Sequence, residues 1–292
     1  MFETGGTGGR GVVEEIERLD PERDFERISF LSTNHDFPWD VEQSLSLAFF
    51  KTYGIPTISA LLDKTGEFRE RAQKRYDDTE LILAEILDNG IDSERGREAT
   101  RRMNRMHGRF EIRNEDYLYV LATFVLVPLR WNRRYGWRRY TQKEELATLN
   151  YWRALGRRMN IRDIPDSIAE LERWNDEFER ANLRFSESSR NVANDTLGLF
   201  LSWYPAPIRL LLRPAVLALL DDALLDAFGY AHPPAWLRRA LDLALRVRAR
   251  LVARLPRRAK PRLITRSRHR AYPGGYQLDQ LGVPGLDGGR EG

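Results

Sequence analysis

The sequence predicts an all-α protein that folds as a single multi-helix domain. Patterns typical of β-strands are nearly absent, whereas helix N-caps and C-terminal glycines recur along the whole chain. No internal repeat and no linker of biased composition divides it. Its 292 residues, of which 42% are hydrophobic and 31% charged, are enough to enclose one large core.

Capping residues, prolines and glycines set the boundaries of the predicted helices. Asp40 is predicted to be an N-cap, and Thr141 opens a capping box with Glu144. Pro56 begins a short helix and Gly66 follows its end. The predicted helices cover residues 40–53, 56–64, 67–87, 93–107, 114–131, 141–159, 164–185, 191–203, 207–220 and 234–255.

The two ends of the chain differ from its middle in composition. Residues 1–18, which open with a Gly-rich polar stretch, predict a flexible N-terminal arm, and residues 277–292 predict a disordered tail. The domain itself is predicted to span residues 19–276. No secretory signal pattern is present, and no uninterrupted apolar run reaches the roughly 20 residues that span a bilayer. These features predict a cytoplasmic protein without a signal peptide or a transmembrane helix.

The absence of cysteine excludes many kinds of functional site. Disulfides, thiolate nucleophiles, zinc–cysteine centres, iron–sulfur clusters and cysteine-ligated haem all require that residue. The sequence also contains no P-loop motif and no His-Glu-x-x-His or Gly-x-Ser-x-Gly pattern. Of the four histidines, His35, His232 and His269 are assigned to a loop, a turn and the surface. His107 is therefore the candidate for chemistry.

A strongly basic segment near the C-terminus predicts an anionic partner. Every charged residue between Arg238 and Arg270 except Asp242 is positive. Residues 234–255 also combine Trp236 and several leucines with arginine, as a helix at a membrane interface does. The alternative is an ordinary core-facing helix with a basic outer face. Nucleic-acid binding is not predicted, because aromatic and basic residues do not alternate there.

His107 lies on the apolar face of a predicted helix. Ala99, Met103, Met106 and Phe110 follow one another at helical spacings and share that face with it. A lone histidine in such a stripe is more often a satisfied core residue than a ligand. Spacing alone therefore favours a structural role.

The helix predicted over residues 67–87 carries a cation and a hydroxyl within its apolar stripe. These groups belong to Arg75 and Thr79. Burial of an unpaired guanidinium is costly, so an anion or a strong acceptor is expected to face Arg75. Asp78 is one candidate partner, and a ligand is the other. A neutral imidazole on one wall and a polar group on the opposite wall are what a haem pocket in a helical protein needs.

Seven short motifs, in their order and spacing, make the chain similar to a known family. It resembles the MpaB family of oxygenases, which is related to the latex-clearing rubber oxygenases, from about residue 19 to residue 276. The motifs are Phe37-Pro38-Trp39-Asp40, Gly54-Ile55-Pro56-Thr57-Ile58-Ser59, Lys74-Arg75-Tyr76-Asp77-Asp78-Thr79, Met106-His107-Gly108-Arg109-Phe110, Asn114-Glu115-Asp116-Tyr117-Leu118-Tyr119-Val120-Leu121, Arg134-Tyr135-Gly136-Trp137 and Arg268-His269-Arg270-Ala271-Tyr272-Pro273-Gly274-Gly275-Tyr276.

The resemblance implies a globin-like helical core that binds haem b. It also implies an oxygenase that uses dioxygen to oxidise or cleave a hydrophobic, isoprenoid substrate, because rubber oxygenases cleave isoprenoid double bonds to aldehyde and ketone ends. The alternative is a non-catalytic haem- or lipid-binding helical protein at the membrane surface. If the basic segment lies at a membrane interface, the protein is expected to be peripheral and to bind the inner face of an anionic membrane.

The resemblance also assigns residues to the site. By position, His107 matches the axial ligand of the haem iron, and Arg75 and Thr79 match an arginine and a threonine on the distal side. The rubber oxygenases have a lysine just before that threonine, where this chain has Asp78. Asp78 is therefore a candidate catalytic residue, and the distal mechanism of the rubber enzymes does not carry over intact. Leu121 and Phe124, on the next apolar helix, are expected to line the cofactor cavity. For His269, the alternative to a surface position is contact with a haem propionate.

Overall fold

The computed structural model describes residues 11–283, and this part of the chain contains helices and no strands. The predicted all-α fold in a single domain is confirmed, while a globin-like arrangement of the core stays a prediction. A π-helix, Leu31–Asp36, follows the second α-helix, and two short 3₁₀ helices, Ile264–Arg266 and Leu278–Gln280, lie beyond the last one. The α-helices are α1 (Gly11–Arg18), α2 (Phe25–Phe30), α3 (Pro38–Tyr53), α4 (Pro56–Thr65), α5 (Glu67–Asn89), α6 (Glu94–His107), α7 (Asn114–Tyr135), α8 (Gln142–Arg158), α9 (Ile168–Asn182), α10 (Glu187–Ser202), α11 (Ala206–Leu219), α12 (Asp222–Phe228) and α13 (Ala235–Val252).

Several helix ends lie where their capping residues predicted them. The Ser93 side chain accepts a hydrogen bond from the Gly96 N–H at the start of α6. Thr141 forms the predicted capping box of α8. Gly66, between α4 and α5, has φ of 70°, a left-handed conformation that residues with a Cβ rarely adopt. Gly66 and Ser93 thus mark the starts of α5 and α6, which carry Arg75, Thr79 and His107.

The main departure from the predicted boundaries is α7, which was expected to end between Pro128 and Trp131. Proline lacks an N–H and usually interrupts a helix, but α7 continues through Pro128 to Tyr135. Both Pro128 and Trp131 are buried, and the Trp131 indole N–H donates to Asp40 at 3.0 Å. Tertiary contacts therefore hold the last turns in place. Asp40 is not an N-cap, because α3 already begins at Pro38.

The start of α9 was also predicted wrongly. Pro165 suggested a first helical residue near 164, but α9 begins at Ile168. Ser167 is the N-cap, and its hydroxyl accepts from the Glu170 N–H at 3.2 Å. The side-chain cap therefore outweighs the proline signal, since it satisfies an N–H that the helix itself leaves unpaired.

Both ends of the described chain contribute to the core. Residues 11–18, within the predicted arm, form α1 and bury Val12 and Ile16. Beyond α13, Leu278 and Leu281 are buried against apolar residues of α5 and α6. Arg102 of α6 donates to backbone carbonyl oxygens of this segment. The rest of the predicted arm and tail, residues 1–10 and 284–292, lies outside the described residues.

The site depends on two helix pairs. The buried helix α7 packs along α3 and also contacts α8, α9 and α13. Beside it, α5 packs against α6 and is covered at one edge by the 3₁₀ helix Ile264–Arg266. The face of α5 that meets α6 carries Ile82 and Ile86, and α6 presents Ala99 and Met103. This packing brings the C-terminal end of α6 towards the N-terminal half of α5.

Within residues 11–283, no single helix is both long enough and apolar enough to cross a membrane. Only α3 and α4 taken together meet that requirement, and they are bent by 98° at the break between them.

Candidate functional site

His107 is the last residue of α6 and points into the protein. Its ring packs edge-on against Tyr117 of α7, with the two ring centroids 5.6 Å apart. The Nδ1 atom is buried and has no hydrogen-bond partner in the described part of the chain. A buried ring nitrogen is usually paired, because leaving it unpaired costs free energy. The expected satisfied core histidine is therefore not what the structure contains.

Burial also fixes the charge of His107. It lowers the pKa of the imidazole to about 4, and the nearby Arg75 guanidinium lowers it further in the same direction. At neutral pH the ring is uncharged, so one nitrogen has a lone pair. That is the state in which histidine binds a metal.

Arg75 and Thr79 lie on the face of α5 that turns towards His107. The Arg75 guanidinium donates to the Thr79 hydroxyl, and that hydroxyl donates to the Arg75 carbonyl oxygen at 3.0 Å. The guanidinium also lies 5.5 Å from the centre of the Phe68 ring. Among residues 11–283 no carboxylate forms an ion pair with Arg75. The structure thus brings Arg75, Thr79 and His107 together and leaves the cation without an anion.

Asp78 does not provide that anion. Its carboxylate pairs with Lys74 one turn earlier, at 2.7 Å, and accepts from the Tyr272 hydroxyl at 2.5 Å and the Gly282 N–H at 2.8 Å. The suggested Arg75–Asp78 pair is therefore wrong, since Asp78 lies on the side of α5 that faces the C-terminal segment. Its predicted catalytic role stays a prediction. The observed contacts attach residues 272–282 to α5.

Leu121 and Phe124 occupy different surroundings on α7. Phe124 contacts the rings of Phe49 and Trp152 and lines a cavity, while its predicted contact with the cofactor stays a prediction. Leu121 instead packs on α8, where its Cδ1 would lie 2.5 Å from a Cβ added to Gly156. Glycine at that position permits the close approach of α7 and α8. Leu121 is buried, but it is not among the residues that line the cavity.

The cavity has a volume of ≈ 110 Å³ and largely apolar walls. Its lining comes mainly from α3 and α5, with further residues from the π-helix, α7 and α8. Tyr76 and Glu80 on α5 line it; each directly follows Arg75 or Thr79 in sequence and so lies about 100° further around the helix axis. The cavity is thus next to the His107–Arg75 pair and does not include it. Its aromatic lining residues are Phe49, Tyr76, Phe124, Tyr140, Tyr151 and Trp152, and its ionisable side chains are Glu42, Glu80, Asp88 and Arg262.

Glu80 is a residue that sequence reasoning missed. It follows Thr79 directly and lines the cavity, where burial raises the pKa of its carboxyl to about 7. The carboxylates of Glu42 and Asp77 act in the same direction, and Arg262 opposes them. The sequence alone could not place Glu80 at the cavity wall, because that required knowing which face of α5 borders the cavity.

Two of the other histidines are not where the sequence suggested. His35 and His269 are both buried, although they were assigned to a loop and to the surface. His35 belongs to the π-helix. His269 lies close to α5, with Asp77 and Glu80 as neighbours. His232 is exposed and contacts Asp226, which agrees with a turn at the surface.

Comparison with known proteins identifies the family. Residues 52–260 match the model of the family described as "ER-bound oxygenase mpaB/B'/Rubber oxygenase, catalytic domain". The chain belongs to this family. The match includes His107, Arg75 and Thr79, and it covers all the site residues predicted from the sequence.

Three fungal relatives are similar to the chain. It is 29% identical over 220 residues to ER-bound oxygenase mpaB' of Penicillium brevicompactum, which covers 69% of this chain and 52% of the relative. It is 30% identical over 191 residues to ER-bound oxygenase mpaB of the same organism, covering 59% and 49%. It is 28% identical over 237 residues to ER-bound oxygenase mpaB of Penicillium roqueforti, covering 75% and 79%. The chain thus spans about half the length of the two Penicillium brevicompactum relatives.

Proposed function

We propose that the protein is a haem b-dependent oxygenase that uses dioxygen to oxidise or cleave a hydrophobic, isoprenoid substrate. One observation carries this proposal: a buried imidazole nitrogen without a partner lies close to a guanidinium without a carboxylate. Together they favour a ligand with both a metal and negative charge. Haem has an iron that binds imidazole and propionates that bind arginine, so the residues fit it.

Every predicted site residue except Asp78 has a role in this proposal. His107 would hold the iron through a neutral ring nitrogen, which its lowered pKa keeps available. When bound, haem supplies an iron centre that reacts with dioxygen. Arg75 offers N–H donors to a propionate or to a polarised oxygen, and its contact with Thr79 fixes its orientation. Phe124 forms an apolar wall next to the site, and Leu121 supports that wall by packing α7 against α8.

The cavity supports a hydrocarbon substrate. An engineered apolar cavity of about 150 Å³ admits benzene, so ≈ 110 Å³ suits a group of about five carbons. The end of an isoprenoid chain has that size and matches the aromatic and aliphatic walls. Since the surface of the cavity wall is mostly apolar, specificity is expected to come from shape.

Oxygen uptake with an acyclic isoprenoid such as squalene tests the activity. The haem-loaded wild type is expected to consume oxygen only when the isoprenoid is present. Ala84→Phe narrows the cavity and is expected to abolish uptake while the haem absorption band remains. His232→Ala, an exposed histidine outside the site, serves as the matched control and is expected to retain full activity.

The second candidate function is non-catalytic binding of haem or lipid, and oxygen uptake separates the two. A protein that binds one haem per chain but consumes no oxygen with isoprenoids is a binder. In that case neither dioxygen nor an isoprenoid would be a substrate of the protein. An active enzyme whose uptake follows isoprenoid concentration excludes this alternative.

We also propose peripheral contact with an anionic membrane, through a surface formed by α11 and α13. These helices contact each other, and Leu210, Leu211 and Trp236 on them are 80%, 75% and 69% exposed. A cluster of large apolar side chains this exposed is uncommon on the free surface of a protein and indicates an interaction site. The other exposed large apolar residues in this region are Tyr204, Ile208, Leu243, Val247, Leu251 and Leu255.

The charge around this surface favours an anionic bilayer. Exposed arginines accompany the apolar residues on both helices, for example Arg213 on α11 and Arg239 and Arg250 on α13. Insertion of leucine and tryptophan side chains with arginine at the headgroups is the usual geometry of an interfacial helix pair. The relatives named above as ER-bound oxygenases are consistent with a membrane location.

Vesicle flotation tests the membrane contact. The protein is expected to float with vesicles that contain phosphatidylserine, and weakly with pure phosphatidylcholine. The double variant Leu210→Ser with Leu211→Ser is expected to lose flotation, whereas Phe185→Ser, which removes an exposed apolar residue elsewhere, is expected to retain it. Equal flotation of all three proteins would contradict the proposed surface.

A further inference from the structure

A second cluster of potential ligands joins α5 to the segment after α13. Asp77 and Glu80 are three residues apart on α5, and His269 follows the 3₁₀ helix Ile264–Arg266. One oxygen or nitrogen atom from each of the three side chains lies within 4.8 Å of the others. On α5 this pair of acids is about 150° around the helix axis from Arg75 and Thr79. The cluster is therefore separate from the candidate haem site.

The hydrogen bond of His269 determines which ring nitrogen faces the cluster. Nε2 lies 2.9 Å from the Ile264 carbonyl oxygen, which can only accept, so Nε2 carries the proton. Nδ1 is then the ring nitrogen on the side of the cluster, 3.7 Å from Oε2 of Glu80. The His269 side chain is only 6% exposed, so water does not easily reach this nitrogen. A metal-binding histidine characteristically donates its other N–H to a backbone carbonyl in this way.

Neither carboxylate forms an ion pair with a lysine or an arginine in the described chain, and the basic group next to Glu80 is the His269 ring itself. Asp77 is 3% exposed, and its oxygens accept from the Gln73 amide and the Ala271 N–H, each at 2.8 Å. Both donors are neutral, and each carboxylate oxygen keeps a second lone pair. Glu80 makes no hydrogen bond within residues 11–283, and its side chain is 22% exposed. Two buried or half-buried acids thus converge on the His269 ring, with no lysine or arginine paired to either of them.

Arg262 lowers the pKa of Glu80 but forms its ion pair elsewhere. Arg262 lies on the same side of α5, but it pairs with Glu42 at 3.1 Å. Buried carboxylates without a cation are costly, and a metal ion is one of the few groups that compensates two of them at once.

We propose that Asp77, Glu80 and His269 bind a divalent first-row metal ion, Mn²⁺ or Zn²⁺. Carboxylate oxygens together with an imidazole nitrogen suit these ions better than Ca²⁺ or Cu(I). Three atoms around one Zn²⁺ ion are separated by about 3.4 Å in tetrahedral geometry. The His269–Glu80 distance of 3.7 Å already approaches that value.

The bound ion would link the C-terminal segment to the cavity wall. His269 and Ala271 belong to the segment that also supplies Tyr272 to Asp78. Glu80 lines the cavity, so coordination would neutralise its charge and fix its side chain at that wall. The ion would hold the segment on α5 independently of haem.

Metal titration of the full-length protein tests the inference. After dialysis against a chelator, the wild type is expected to bind one equivalent of Mn²⁺ or Zn²⁺ and to unfold at a higher temperature with the ion present. Glu80→Gln and His269→Gln are each expected to weaken binding at least tenfold. His232→Ala, which removes a histidine next to exposed acids, is expected to leave stoichiometry and affinity unchanged.

Spectroscopy of the wild type keeps the test valid if a variant does not fold. Electron spin echo modulation of bound Mn²⁺ is expected to show coupling to a single imidazole nitrogen. The inference is overturned if no saturable binding occurs, if the nitrogen coupling is absent, or if binding is lost in His232→Ala alone. Because these signals do not depend on haem, failure here is distinct from failure of the proposed oxygenase function.

Discussion

The uncharged state of His107 makes a quantitative prediction about stability in acid. Its pKa is about 4 in the folded protein and 6.5 for an ordinary histidine. Between these values the unfolded chain binds more protons than the folded one, so stability falls as the pH is lowered through this window. The contribution of His107 to the free energy of unfolding is expected to decrease by about 2 kcal/mol at pH 5 and about 3 kcal/mol at pH 4, relative to pH 8.

Urea unfolding of the haem-free protein between pH 4 and pH 8 measures this effect. The difference between wild type and His107→Gln cancels the contributions of all other groups. Wild type is expected to lose about 2–3 kcal/mol more than His107→Gln over that range. His232→Gln, at an exposed position, is expected to follow wild type. Parallel pH profiles for wild type and His107→Gln would refute the burial of a neutral imidazole.

Three further predictions concern α5. Replacing Arg75 by Met removes a cation that lowers the pKa of His107, so this pKa is expected to rise. NMR titration of the His107 ring measures it. An unchanged pKa would show that the two side chains do not face each other. Asp78→Asn leaves Lys74 unpaired and is expected to lower the free energy of unfolding by about 2–3 kcal/mol and to expose residues 272–283 to proteolysis. If Asp78→Asn keeps its stability and loses only turnover, Asp78 is catalytic instead. The pKa of Glu80 is raised to about 7, so the metal-free protein is expected to lose stability as the pH rises from about 4.5 to 7, and Glu80→Gln is expected to remove that loss. A loss of equal size in Glu80→Gln would contradict this assignment.

Much of the fold was predictable because local chemistry determined it. Ser93 and Thr141 cap their helices as expected, and Gly66 ends α4. The errors occur where tertiary contacts decide. Pro128 was expected to end α7. The helix continues because Trp131, one turn later, is buried and donates to Asp40 of α3. Leu278 and Leu281 lie in a region of polar and glycine-rich composition, yet their burial against α5 and α6 orders the segment.

The candidate site was predictable in part for the same reason. Helical spacing placed Arg75, Thr79 and His107 on the inner faces of their helices. The family motifs then predicted that these residues form one site. Spacing could not choose between Arg75 and Lys74 as the partner of Asp78, because both are within one turn of it. It also could not pair Glu80 with His269, which is 3.7 Å away in space but far along the chain.

Haem binding tests the central claim most directly. Purified wild-type protein is titrated with haemin, and the visible spectrum is compared with those of His107→Gly, of His107→Gly with added imidazole, and of His232→Ala. The account predicts one haem per chain with a sharp Soret band in wild type and in His232→Ala, loss of that band in His107→Gly, and its return with imidazole. Non-stoichiometric haem binding in wild type, or an unchanged spectrum in His107→Gly, would contradict it.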